Sequence, residues 1–138
     1  MSIYNTGSDI VKELNLYATS ELLRKYYNER TKERKFSLIS IECGTIGAFS
    51  DLTLGSLQSF NLISTATLIC LEQNEKNLFT TALSLLLQIV EMSDTTELPV
   101  LLSAKWNEIN EKVNHFNERH GELYWQLIKS WYRVNEVR

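Results

Sequence analysis

The sequence predicts a single all-α domain, residues 1–138, folded as a compact bundle of five to seven helices. Hydrophobic residues follow the 3.6-residue period of helices over most of the chain, and strand-like alternation is confined to one short segment. One proline and five glycines in 138 residues are too few for a fold with many turns. With 43% hydrophobic and 22% charged residues, the chain can bury one core of ordinary size.

The N-terminal part of the chain is predicted to form two helices. The tetrapeptide TGSD at residues 6–9 resembles a capping box, a sequence with which many helices begin. Ile10 and Leu14 then lie on one face of a helix. Thr19-Ser20 is predicted to break this helix, and a second helix is predicted to run to about Lys35.

The middle of the chain is predicted to be mostly helical. Residues 36–49 fit either a helix or a hairpin of strands, and the surrounding helices favour the first. Residues 52–71 carry no charge, but eight of these twenty side chains are Ser, Thr, Gln or Asn, more than a membrane-spanning helix usually has. They are predicted to form a buried central helix whose polar groups find hydrogen bonds. Residues 75–92 carry two apolar stripes, which predicts a second central helix packed on both sides.

The boundary before the C-terminal region is the sequence SDTTELP, residues 93–99. Thr96 is predicted to cap the next helix, with Pro99 at its first position. One unbroken helix from there to the C-terminus would be about 58 Å long, which is too long for a domain of this size. A break is therefore predicted near His120-Gly121. The apolar face is predicted to continue across this break, through Leu102, Ile109, Val113, His120, Leu123 and Leu127.

The sequence predicts no catalytic site, no metal site and no cofactor site. The two histidines, His115 and His120, are five residues apart on a predicted helix, so they point in different directions and cannot share one metal ion. The glycines at 44–47 (GTIG) lack the spacing and the lysine of a phosphate-binding loop. Cys43 and Cys70 lie among small and apolar residues, which predicts buried reduced thiols, with a disulfide between them as the alternative.

The charge and the first residues of the chain bear on its location and partners. The formal net charge of −3 argues against a general nucleic-acid-binding protein. The N-terminal residues MSIYNTGSDI contain no basic segment followed by an apolar one, so no secretory signal is predicted. We therefore expect a cytoplasmic protein that contacts no membrane.

Two pairs of acidic residues suggest a catalytic alternative. Glu72-x-x-Glu75 and Glu91-x-x-Asp94 resemble the carboxylate motifs of all-helical nucleoside-triphosphate pyrophosphohydrolases. The resemblance implies that these four carboxylates bind Mg²⁺ from two adjacent helices. The predicted helix over 75–92 instead separates Glu75 from Glu91 by about 24 Å, which is too far for one metal site.

A basic segment gives a second alternative, a nucleic-acid adaptor. Residues 24–35 (RKYYNERTKERK) have a net charge of +4, which leaves −7 on the rest of the chain. Basic side chains with Tyr26 and Tyr27 among them could contact phosphates and stack on the bases of a single strand. Glu29 and Glu33 also allow ion pairs along a helix, which favours a solvated helix surface instead.

An acidic and aromatic face in the C-terminal region predicts protein binding. Trp125 and Tyr132 are predicted to point away from the apolar face, beside acidic residues, and exposed aromatic residues of this kind are typical of protein-recognition surfaces. The alternative is that both aromatic side chains pack on another helix of the bundle. The predicted partner-binding residues are Glu108, Glu111, Glu118, Glu122, Trp125 and Tyr132.

The chain is one compact acidic helical domain with several carboxylates beside Trp125. In these features it resembles the small acidic helical immunity proteins of bacterial toxin systems, including those of contact-dependent growth inhibition. The resemblance implies a non-catalytic protein that binds and neutralises a cognate toxin, commonly a nuclease. An acidic surface can take the place of nucleic-acid phosphates in a basic nuclease cleft, and it accelerates association.

Overall fold

The structure of the protein is a computed structural model that describes residues 7–33, 49 and 51–133. Its six helices are α1 (Gly7–Tyr17), α2 (Ser20–Glu33), α3 (Ser56–Glu72), α4 (Lys76–Ser93), α5 (Val100–Phe116) and α6 (Arg119–Tyr132). These residues contain no strand, so the predicted all-α fold is confirmed. Thr6 of the predicted cap, Cys43 and nearly all of the ambiguous segment 36–49 lie outside the described residues.

Helices α3 to α6 form a four-helix arrangement. α3 packs against α4 and α5, and α6 packs against the same two helices from the other side. α1 and α2 form a helical hairpin, and α2 packs on α3 and α4. The two predicted central helices, 52–71 and 75–92, correspond to α3 and α4. α4 buries apolar residues on two faces, as its two stripes indicate.

The buried hydroxyl groups of α3 form hydrogen bonds inside the protein, as predicted. Thr67 Oγ1 donates to the carbonyl oxygen of Ile63 at 2.8 Å. The hydroxyls of Thr65 and Ser20 lie 2.6 Å apart and join α3 to the beginning of α2. Among the described helices, none is long and apolar enough to cross a bilayer.

The predicted break between the first two helices is confirmed. α1 ends at Tyr17, and Ala18 takes a left-handed conformation with a φ of 44°. Thr19 then precedes α2, and its Oγ1 accepts a hydrogen bond from the amide of Leu22 at 3.2 Å. A side-chain acceptor at this position satisfies one of the amides that a helix leaves free at its beginning.

α5 begins one residue later than predicted. Its first helical residue is Val100, and Pro99 is the N-cap residue, with extended backbone at φ −61° and ψ 147°. Thr96 lies three residues before this cap, so the prediction that it caps the helix is wrong. The predicted boundary at 93–99 is otherwise correct, because α4 ends there and Asp94 takes a left-handed conformation.

The last two helices separate earlier than predicted, at Asn117-Glu118 rather than at His120-Gly121. Asn117 adopts the left-handed conformation, with φ 50° and ψ 46°, which asparagine tolerates better than most residues. Gly121 lies inside α6 and is buried against α4. A β-carbon at Gly121 would lie 3.2 Å from Oγ1 of Thr80, so this glycine permits a close approach of two helices instead of ending one.

Cys70 is a free thiol that is completely buried in α3. Burial raises the pKa of this thiol well above its ordinary value, and the nearby positive charge of Lys112 opposes only part of the increase. Cys70 is therefore a protonated, reduced thiol at neutral pH, as predicted.

Asp51 holds the connection between α2 and α3. Its carboxylate accepts hydrogen bonds from the Tyr26 hydroxyl at 2.7 Å and from the Arg30 guanidinium at 2.6 Å. Asn15 of α1 donates to the carbonyl oxygen of Asp51 at 3.3 Å and accepts from the amide of Thr53 at 2.9 Å. Burial alone would raise the pKa of the Asp51 carboxyl, but the hydrogen bonds from Arg30 and Tyr26 outweigh it and hold that pKa below its ordinary value.

We expect Asp51→Asn to lower the free energy of unfolding at pH 7 by about 1–2 kcal/mol, the order of a hydrogen bond to a charged group. Because the pKa of Asp51 is lowered by folding, its contribution is present above the unfolded value of about 3.9 and is lost as the pH falls through the folded value. The difference between wild type and variant should therefore shrink in acid. Urea unfolding followed by circular dichroism, repeated at several pH values, measures it.

The control for this experiment is Tyr26→Phe, which removes one hydrogen bond and keeps the carboxylate. This variant should be less stable at neutral pH but should keep part of the acid dependence that Asp51→Asn loses, because Arg30 still lowers the pKa of the Asp51 carboxyl. A difference between wild type and Asp51→Asn that stays constant down to acid pH would contradict the role given to the charged carboxylate.

Candidate functional site

Three of the predicted partner-binding carboxylates are exposed. Glu108 and Glu111 lie on the surface of α5, and Glu122 lies on the surface in the first turn of α6. Glu108 accepts a hydrogen bond from Lys105 at 3.2 Å, one helical turn away. Glu111 and Glu122 form no ion pair or side-chain hydrogen bond within the described residues. Their charges are therefore available to another molecule.

Glu118 is engaged in capping α6. Its carboxylate accepts hydrogen bonds from the amides of His120 at 2.8 Å and Gly121 at 3.1 Å, and it lies 3.1 Å from Nδ1 of His120. Burial would raise the pKa of the Glu118 carboxyl, but the hydrogen bonds from His120 and Gly121 lower it below its usual value. Unlike Glu111 and Glu122, this predicted partner-binding residue has its charge satisfied inside the protein.

The prediction that Trp125 is exposed is wrong. Its side chain is only 2% exposed, and its indole N–H donates to Oδ1 of Asn110 on α5 at 3.0 Å. Its ring packs against Trp106, with the ring centroids 4.6 Å apart. Trp125 therefore joins α5 to α6 within the core and presents no surface to a partner.

The prediction that Tyr132 points outward is also wrong. Its ring lies edge-on to Trp106 with the centroids 6.3 Å apart, and the side chain is half-buried. Burial raises the pKa of Tyr132 to about 12. Its hydroxyl finds no hydrogen-bond partner in the part of the chain that the structure describes. The alternative, in which both aromatic residues pack on another helix, is the correct one.

The error in the predicted buried face of α6 follows from the break at Asn117-Glu118. The prediction continues one line of side chains from α5 into α6, as if the helical rotation ran on without interruption. Both residues of the break have non-helical backbone, which changes the rotation of everything that follows. Leu123 and Leu127, predicted to be buried, are 52% and 44% exposed as a result. The residues of α6 that are buried are Gly121, Tyr124, Trp125 and Ile128.

Two surface depressions follow the seam between α3 and α5. The first has a volume of about 480 Å³ and lies where α5 begins. It is lined by Phe60, Asn61, Ser64, Glu97, Leu98, Pro99, Val100, Leu101 and Ala104. Val100 is 87% exposed, and Leu57, about one turn before Phe60 on α3, is 72% exposed. An exposed apolar side chain that lines a depression, as Val100 does, is typical of binding surfaces.

The second depression has a volume of about 360 Å³ and lies further along the same seam. It is lined by Leu71 of α3 and by Glu108, Glu111, Lys112 and His115 of α5. The ammonium group of Lys112 is held by internal contacts, because it donates to the carbonyl oxygen of Gln73 and lies 5.8 Å from the ring of Phe79. The exposed carboxylate of Glu111 is thus the unengaged charge of this depression.

The apolar depression is missing from the sequence prediction, which places every partner-binding residue at or beyond Glu108. Its signals are present in the sequence. Leu57, Phe60 and Ser64 recur at helical spacing, and Val100 follows the proline that precedes α5. Assigning these residues to the surface requires knowing how much of α3 is covered by α5, which spacing alone does not give.

The basic segment does not form a surface for stacked bases. Tyr26 and Tyr27 are 1% and 2% exposed, and the hydroxyls of both are hydrogen-bonded inside the protein. Arg24 and Arg30 form ion pairs with acidic residues of the same chain. The nucleic-acid alternative therefore lacks the two aromatic side chains on which it depends.

The four carboxylates of the hydrolase alternative are not brought together. Glu75 is the N-cap residue of α4 and Asp94 its C-cap residue, so a helix of about 27 Å separates them. Glu91 lies in the last turn of that helix, and Glu72 pairs with Arg24. Across 7–33, 49 and 51–133, no group of three or more His, Cys, Asp or Glu could hold a metal ion.

We expect Trp125→Ala to lower the free energy of unfolding by about 3–5 kcal/mol, because it leaves a large cavity between α5 and α6. Trp125→Phe keeps most of the apolar volume but removes the donor to Asn110, so it should cost about 1–2 kcal/mol. Denaturant unfolding of both variants measures these differences. Wild-type stability in Trp125→Ala would contradict the buried position of this side chain.

No protein-family model matches the chain, and no match was found among curated protein sequences or among solved structures.

Proposed function

We propose that this protein is a non-catalytic binding protein that neutralises a toxic protein in the cytoplasm, as the immunity protein of a bacterial toxin system does. The observation that carries the proposal is the combination, on α5, of exposed carboxylates with an exposed apolar depression. Val100 and Glu111 lie on the same face of this helix, about three turns apart.

Such a surface is suited to a protein partner with a basic surface. Carboxylates such as Glu111 attract and orient a positively charged protein before contact, which raises the association rate. Apolar side chains such as Val100 then provide stabilisation once water is expelled from the contact. A nuclease is a partner of this kind, because its cleft carries the positive charge that binds phosphates.

The test of the proposal is protection of a bacterial host. Each gene that neighbours the gene for this protein in the source genome is expressed alone and together with this protein. We expect one neighbouring product to arrest growth alone, and co-expression to restore growth through a stable complex. A toxic neighbour that still arrests growth in the presence of this protein, or the absence of any toxic neighbour, would contradict the proposal.

We expect the double variant Glu108→Lys/Glu111→Lys to associate with the partner about tenfold more slowly at about 0.1 M salt, because attraction becomes repulsion. The difference should shrink at about 1 M salt, where the screening length falls from about 10 Å to about 3 Å. Surface plasmon resonance at both salt concentrations measures the association rate constants.

The matched control is the double variant Glu21→Lys/Glu91→Lys, which reverses two exposed charges on α2 and α4 outside both depressions. It should alter the association rate constant by less than about twofold, because steering depends on the charges nearest the contact. If the control slows association as much as Glu108→Lys/Glu111→Lys does, net charge and not the surface of α5 steers the partner.

A further inference from the structure

We propose that the seam between α3 and α5 receives an amphipathic helix of the partner, with apolar side chains over Val100 and a lysine or arginine facing Glu111. This inference rests on the proposed function for the existence of a protein partner, and it adds the shape and chemistry of the segment that docks. Three observations support this inference: the direction of the seam, the position of its charges and the exposure of its apolar residues.

The two depressions lie along one seam because α3 and α5 run side by side in the same direction. Phe60 and Ser64 of α3 line the first depression together with the beginning of α5, and Leu71 lines the second together with residues 108–115. A third helix laid over two aligned helices can reach both depressions from one side.

The spacing along α5 sets the pattern expected in the partner. Val100 and Glu111 are separated by eleven residues, which is about 16 Å along the helix axis and about 20° around it. A partner helix aligned with the seam can therefore reach both residues from one face. The partner helix is expected to carry apolar residues at positions i, i+4 and i+7 and a basic residue at i+11. The same spacing holds in reverse order if the partner helix runs in the opposite direction.

The charges left unengaged along the seam are negative. Glu97 at the first depression and Glu111 at the second form no ion pair within the described ranges. Both lysines of this face are engaged, Lys105 with Glu108 and Lys112 with a backbone carbonyl oxygen. A basic side chain can therefore pair with Glu111 without displacing an internal contact, whereas an acidic side chain would be repelled.

A second copy of this chain fits the seam poorly. Two copies related by a two-fold axis across the seam would run in opposite directions. The carboxylates near Glu111 of each copy would then lie over the apolar residues near Val100 of the other, and they would lose water without gaining a cation. A basic amphipathic helix instead offers apolar side chains to Val100 and a cation to Glu111.

The experiment is the selection of helical peptides from a display library on the full-length protein, followed by titration of the most enriched peptide. We expect the enriched peptides to share the apolar and basic pattern given above. Fluorescence anisotropy then gives the Kd of this peptide for the wild type and for the variants. Val100→Asp and Glu111→Lys should each weaken binding about tenfold or more, because each replaces a favourable contact by an unfavourable one.

The matched controls are Leu123→Asp on α6 and Glu21→Lys on α2, which make equivalent changes at exposed residues away from the seam. They should leave the Kd within about twofold of wild type, because neither residue lines the seam. Val100→Asp is expected to fold, since Val100 is 87% exposed and the first turn of a helix favours an acidic side chain. Circular dichroism and thermal unfolding verify the fold of each variant.

Three results of the selection would overturn the proposal: no enrichment, enriched peptides without the basic position, and equal binding by all variants. A wild type that sediments as a dimer, with Val100→Asp as a monomer, would overturn it too, because a second copy would then occupy the seam. The proposed function is tested separately. A toxin neutralised equally well by Val100→Asp rejects the docking surface alone, whereas peptide binding without protection of cells rejects the proposed function alone.

Discussion

Helix α4 buries its side chains on two faces, against α3 on one side and α6 on the other, and the remaining helices take their positions from it. Phe79, Leu83 and Leu86 are among its fully enclosed residues. With α4 in the interior, α5 closes the arrangement by packing on both α3 and α6. α5 buries only three residues in doing so, namely Leu102, Ile109 and Val113. Most of its surface, including the seam with α3, therefore remains open to solvent.

The helices themselves can be predicted from the sequence because the residues that a helix buries recur about every 3.6 positions, and this spacing is visible in the sequence. Thr19 could be identified as a boundary for a similar reason, since its hydroxyl serves the amides at the beginning of α2. The rotation of α6 relative to α5 has no such signal. It depends on the backbone angles of Asn117 and Glu118, and a change there turns every later side chain, which is why Trp125 lies in the core.

The charged residues of the candidate surface can be predicted from the sequence, but its apolar residues cannot. Glu108 and Glu111 are exposed, as the helical pattern indicates, because a carboxylate without a partner is rarely buried. The exposure of Val100 depends instead on how three elements meet, namely α3, α5 and the connection before α5. The spacing of residues along the chain does not by itself reveal a tertiary arrangement of this kind.

The complete burial of Cys70 gives the protein an internal reporter of its own opening. Thiolates, and not thiols, attack alkylating reagents, and this thiol is both enclosed and protonated in the folded state. It can react only when the packing around Cys70 opens. In a variant with Cys43 replaced by serine, the rate of labelling at Cys70 measures how often the bundle opens, without any change to the surface of α5.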